Sequence, residues 1–121
     1  MRKILIIDDS SMQIRTLTGL MKDRYEIITA MSGFDGIEIL KKDKVDLVLL
    51  DYGMPVLDGK ETLRIIRDNE DTKNLPVIFL TGDNEREDII EALKLNPQGY
   101  LLKPVKPDRL FEAIDKALLG K

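Results

Sequence analysis

Asp8 and Asp9 stand side by side at the end of an apolar run, and Asp51 ends another, "VDLVLLD". Thr81 closes "PVIFLT", and Lys103 closes "GYLLK". Brought together, these side chains form a coherent chemical set. Three carboxylates within a few ångströms repel one another and raise each other's proton affinity. A hard divalent cation relieves that repulsion, and Mg²⁺ prefers a few carboxylate or carbonyl oxygens plus water. Its charge would also keep Asp51 ionised, as a nucleophile must be, and a carboxylate attacking a phosphoryl group yields an acyl phosphate. Phosphoryl transfer chiefly needs charge neutralisation and positioning. Lys103 offers a mobile cation for this, and the Thr81 hydroxyl a donor.

Composition narrows the alternatives. The chain contains no Cys and no His. That excludes disulfides, thiol nucleophiles, thiolate metal sites, imidazole bases and an internal phosphohistidine. Nineteen basic and 22 acidic residues leave a net charge of −3, with no basic cluster. Nucleic acid is therefore not expected as a direct ligand, because phosphate-backbone binding needs concentrated Lys and Arg. The apolar runs are too short to span a membrane, and the first residues lack a signal-peptide pattern. The expectation is a cytoplasmic protein with no membrane partner. Its 121 residues form one domain, 1–121, long enough to bury a core without staples.

The elements that would position these residues can be read from the hydropathy pattern. Apolar, β-branched-rich runs recur at 3–8, 25–30, 45–51, 76–81 and 99–103. Between them lie stretches of helical period: Ile14, Leu17 and Met21, then Leu110, Ile114 and Leu118, with Ile89 and Leu93 on one face beside Ile90. Ser32 is placed to cap the second helix, Asp58 with Glu61 has capping-box spacing before the third, and Asp83 or Asn84 can cap the fourth. Pro107 suits the first turn of the fifth. Strands apolar on both faces, alternating with helices, imply a parallel sheet covered on both sides. The expected fold is (βα)5, a doubly wound five-stranded parallel sheet. All its strands end along one edge, where open α/β sheets bind ligands at the point of strand-order reversal. With order 2-1-3-4-5, Asp8 and Asp9 fall beside Asp51.

The segments "ILIIDDSSMQIR", "LVLLDYGMPVLDG", "VIFLTG" and "GYLLKPVKP" resemble the motifs of response-regulator receiver domains, the chemotaxis-regulator family with a flavodoxin-like fold. The resemblance runs in order along essentially the whole chain. It implies that Asp51 is the phosphoacceptor of a two-component signalling switch. Asp9, Asp51 and the Gly53 carbonyl would ligate Mg²⁺ or Mn²⁺, with Asp8 acting partly through water. It further implies that Thr81 senses the phosphoryl group, Lys103 pairs with it, and Tyr100 turns inward when the threonine moves. The Lys103–Pro104 bond would be cis, X–Pro being the one place where that geometry is cheap. A sensor histidine kinase or phosphotransfer protein would be the donor. The face of helix four, strand five and helix five would carry the output to a partner or to a phosphorylation-dependent dimer.

Each residue also has an ordinary use. Asp8 or Asp9 could cap the first helix, although Ser10 or Ser11 would serve, and Tyr100 could simply pack. Capping does not easily place five such residues at one sheet edge. Pro55 and Gly59 would shape a loop over Asp51, with Met54 either lining it or packing in the core. Gly53 offers no side chain to shield or orient water, and Gly82 leaves its N–H open to approach. In "LNPQG", Asn96 can accept a left-handed conformation and Pro97 stiffens the turn into strand five, which suggests an altered output surface. Two rivals stand beside this reading. A phosphoaspartate phosphatase would need a DxD after the first strand, which "DDSS" lacks, and a degenerate receiver would only bind protein. The chain ends at Gly120–Lys121, as would suit either a stand-alone regulator or an N-terminal receiver.

Overall fold

Strands and helices alternate along the chain in a computed structural model that describes residues 1–82 and 86–120, with side chains at all of these except 86–89. In order they are β1 (Lys3–Ile7), α1 (Ser11–Met21), β2 (Glu26–Ala30), α2 (Gly33–Lys42), β3 (Leu47–Asp51), α3 (Gly59–Asp68), β4 (Val77–Thr81), α4 (Arg86–Leu93), β5 (Gly99–Leu102) and α5 (Pro107–Leu119). The five strands form one sheet in the order β2-β1-β3-β4-β5, every pairing parallel. This is the expected doubly wound arrangement, and strand order reverses between β1 and β3.

Side chains alternate across the sheet, so each strand feeds two cores. Leu5, Ile7, Val48, Leu50, Val77 and Phe79 pack with Leu63, Ile66 and Ala92 on one face. Ile4, Ile6, Leu47, Leu49, Ile78 and Leu80 pack with Leu17, Met21, Leu110 and Ile114 on the other. All five residues of β3 and of β4 are buried, so burial on both faces makes these strands rigid mounts. The edge strands β2 and β5 are only partly buried, because each lacks a neighbour on one side. Gly36 lets α2 lie directly on β1: a Cβ there would come within 2.3 Å of Ile7 Cδ1.

The helix starts follow the sequence signals. Ser32 accepts from the Asp35 N–H, and Asp58 and Glu61 close a reciprocal capping box. Pro107 opens α5 without a side-chain cap. The expected caps of α4, Asp83 or Asn84, lie outside the described residues. Among the described side chains of α4, Ile90 and Leu93 are exposed and Ala92 is buried. A methyl group there lets the helix sit close to the sheet, and that rotation carries its larger neighbours outward. The Ile89 side chain is outside the described set. Asn96 does adopt a left-handed φ of 56°. No helix among the described residues is long and apolar enough to cross a membrane.

Candidate functional site

The carboxyl ends of β1 and β3 deliver the acidic cluster. One carboxylate oxygen from each of Asp8, Asp9 and Asp51 lies within 4.8 Å of the others. Asp8 extends the ladder past β1, its N–H donating to the Ala30 carbonyl at 3.0 Å. Neither Asp8 nor Asp9 caps α1. Ser10 takes that role by accepting from the Gln13 N–H, while Asp8 Oδ1 accepts from the Ser10 N–H at 2.9 Å. The ordinary explanation for the pair is thereby removed, and Asp8 Oδ2 remains buried with no hydrogen-bond partner.

Burial, more than any other cause, pushes the Asp8 carboxyl up to about 6, and the neighbouring Asp51 charge adds to this against the Ser10 bond. The Asp9 carboxyl is also raised, first by partial burial and then by its contacts with Asp51. These are the signs of crowded carboxylates awaiting a counter-charge. The donor set consists of oxygens alone, with one orphaned and buried, and this fits a hard divalent cation such as Mg²⁺.

Asp51 ends β3 with only 3 % of its surface exposed. Lys103, just beyond β5, reaches it from the far side of β4: its Nζ lies 2.8 Å from Asp51 Oδ1. The Gly53 N–H donates to the same oxygen at 3.4 Å. Backbone bonds fix both termini, from Tyr52 N–H to the Leu80 carbonyl and from Lys103 N–H to the Thr81 carbonyl. Thr81 is buried beside this pair, one residue beyond the Asp51–Leu80 register position. Tyr100 pairs with Phe79 in register and is half exposed. The Lys103–Pro104 bond is cis.

The β3–α3 loop is built around close approach. Gly59 donates its N–H to the Tyr52 carbonyl, and a Cβ there would meet the Asp51 carbonyl oxygen at 2.6 Å. Only glycine brings α3 this near the Asp51–Tyr52 backbone. Val56 has φ 67°, and the Leu57 N–H donates back to the Pro55 carbonyl at 2.8 Å. That is a γ-turn of the strained hand, unusual for a β-branched residue. Met54 is a core residue and does not line the loop. Two features escaped the sequence reading. The Val56 turn has no residue signature, since Val is not a turn former. Arg67, which holds four carbonyl or amide oxygens, reads in sequence as an ordinary solvated cation in a last helical turn.

An acidic pocket with a partly buried cation–carboxylate pair, set at the switch point of a doubly wound parallel sheet, defines a ligand- or group-accepting α/β domain. The chain belongs to the response-regulator receiver family, whose model (response regulator receiver domain) matches residues 4–115. It is 39% identical over 116 residues to the chemotaxis protein CheY-3 of Vibrio cholerae, covering 94% of this chain and 89% of that one. It is 32% identical over 121 residues to protein PilH of Pseudomonas aeruginosa, covering 99% and 100%. The crystal structure of a response-regulator receiver domain protein from Clostridium thermocellum superposes with a TM-score of 0.92 at 35% identity, over 99% of this chain and 96% of that one. The chain is thus a receiver domain of the two-component and chemotaxis signalling class. Domains of this kind are signalling modules that engage histidine kinases or phosphotransfer proteins and generally bind Mg²⁺ at an acidic pocket.

Proposed function

We propose that Asp51 accepts a phosphoryl group and that the chain is a phosphorylation-dependent switch. One observation carries this reading: a carboxylate 3 % exposed, with an ammonium 2.8 Å away and two further carboxylates beside it. A cap or a structural ion pair does not need the two extra acids. One Asp51 oxygen forms the bond to phosphorus as the bond to the donor's leaving group breaks. Lys103 exchanges a carboxylate for a phosphoryl partner and so holds the added negative charge in place. Mg²⁺ or Mn²⁺ held by Asp8, Asp9, Asp51 and the Gly53 carbonyl would supply the remaining positive charge. The Thr81 hydroxyl turns toward the phosphoryl oxygen, and Tyr100 moves from its half-exposed position into the space vacated. The α4–β5–α5 surface is thereby biased between two states.

The donor is a sensor histidine kinase or phosphotransfer protein, and the output is a protein partner or self-association. The chain turns over no separate substrate. Exposure to acetyl phosphate with Mg²⁺ tests the reading by mass spectrometry. A single phosphoryl adduct is expected on the wild type and none on Asp51→Ala. No adduct on a folded wild type would return the chain to a binding-only module, and steady hydrolysis of a phosphate ester would make it a phosphatase.

A further inference from the structure

Arg67 sits in the last turn of α3, at the opposite edge of the sheet from the acidic pocket. Its Nε donates to the Leu95 carbonyl at 2.9 Å, and one terminal nitrogen donates to the Leu75 carbonyl at 2.8 Å. The other reaches the Asn96 carbonyl at 3.0 Å and Gln98 Oε1 at 3.3 Å. Gln98 Oε1 in turn accepts from the Val77 N–H at 2.7 Å. No ion pair holds the guanidinium among the described residues. Its charge is spent on the carbonyls that follow α4 and on the entries to β4 and β5.

A guanidinium is a rigid, directional fork, and the carbonyls at a helix C-terminus are acceptors at the negative end of the helix dipole. Bonds of this kind are charge-assisted and outlast neutral ones. At its other end α3 abuts the acceptor, because Gly59 packs on the Asp51–Tyr52 backbone. Ten helical residues make α3 a strut between the phosphoacceptor strand and the α4–β5 connection. β4 and β5 are therefore tied at their amino ends; Thr81 closes β4 and Lys103 follows β5 at the other end, while Tyr100, second in β5, pairs with Phe79 at the middle of β4.

We propose that Arg67 is a positioning residue for the output surface: it pins the 95–98 connection, so that a displacement arriving at Thr81 is taken up by Tyr100 rather than by slippage of that loop. The inference rests on the phosphorylation reading above. It locates the fixed point against which the switch works.

Arg67→Met and Arg67→Lys, compared with the wild type by amide exchange and NMR, test it. In Arg67→Met, the Val77, Leu95, Asn96 and Gln98 amides should exchange about tenfold faster or more, as loss of charge-assisted bonds implies. Asp51 should still be labelled fully by acetyl phosphate with Mg²⁺, because a five-residue strand sets the two edges roughly 15 Å apart. The shift of the Tyr100 ring resonances on phosphorylation should fall by roughly half or more, and exchange changes should spread into 95–98, where the wild type should show none. Arg67→Lys keeps the charge without the fork and should restore little of the Tyr100 response. Unchanged protection at those amides, or a full Tyr100 response in either variant, overturns the proposal. A wild type that takes no phosphoryl group overturns the functional reading instead, and the exchange comparison, which needs none, still decides the clamp.

Discussion

Asp8→Asn should make the metal-free protein more stable, although it removes a residue from the pocket. Asp8 is fully buried, Oδ2 has no partner, and the folded state holds the carboxyl at about 6 against an ordinary 3.8. A raised folded-state pKa contributes stability below the unfolded value, and that contribution is lost as pH rises through the folded value. At pH 8 the ionised carboxylate therefore costs the folded state about 3 kcal/mol, from a shift of about 2 pH units at about 1.4 kcal/mol each. Asparagine removes that cost and keeps an oxygen for the Ser10 N–H. Urea unfolding with chelator at pH 8 should show the variant's midpoint raised by roughly 1–3 M at unchanged slope. The gain should fade between pH 6 and pH 4, where the wild-type carboxyl is protonated in the fold. Saturating Mg²⁺ should reverse the order, because ligand binding to the native state stabilises only the chain that retains the site. A variant no more stable than wild type at pH 8, or a gain that persists at pH 4, would refute the account of Asp8 as a desolvated, unpaired charge.

Three further outcomes follow from the geometry. Gly59→Ala places a Cβ against the Asp51 and Tyr52 backbone, which cannot yield as a flexible side chain would. It should cost about 1–3 kcal/mol in urea unfolding and slow acetyl-phosphate labelling of Asp51. Val56→Asn should raise stability by about 0.5–1 kcal/mol, since Asn tolerates φ 67° and an 88%-exposed valine loses no burial; a drop would show that the turn is not strained. Lys103→Met should lower the rate of Asp51 phosphorylation at least tenfold while leaving Mg²⁺ affinity equal or higher, because the ammonium at 2.8 Å competes for the same carboxylate.

Much of this molecule is legible in the chain. Runs of β-branched residues separated by helical periods define five βα units, because a strand buried on both faces admits no polar residue until it ends. The polar residues at those ends then name the chemistry. Asp8, Asp9 and Asp51 come within 4.8 Å because parallel strands all finish on one edge. The Asp58–Glu61 box and the Ser32 cap are local signals, so sequence suffices for them.

What the sequence leaves open depends on rotation and distance between elements. Whether Leu93 or Ala92 faces the sheet turns on the packing of a short helix, and the structure chooses the methyl group. Met54 goes to the core and Val56 to a left-handed turn, because the Gly59 approach fixes the loop from its far end. Asp8 and Asp9, adjacent and chemically identical in sequence, part company in the fold: one is buried with an orphaned oxygen, the other exposed. Arg67 shows the limit most plainly. Its four acceptors lie between 8 and 31 residues away, so nothing local distinguishes it from any cation on a solvated helix face. The sequence by itself determined which residues reach the carboxyl edge, since strand periodicity and parallel pairing leave no freedom there. Only the tertiary structure decided which carboxylate pays the desolvation and which arginine ties α4 to β5, because burial and long-range hydrogen bonds exist only between elements already packed.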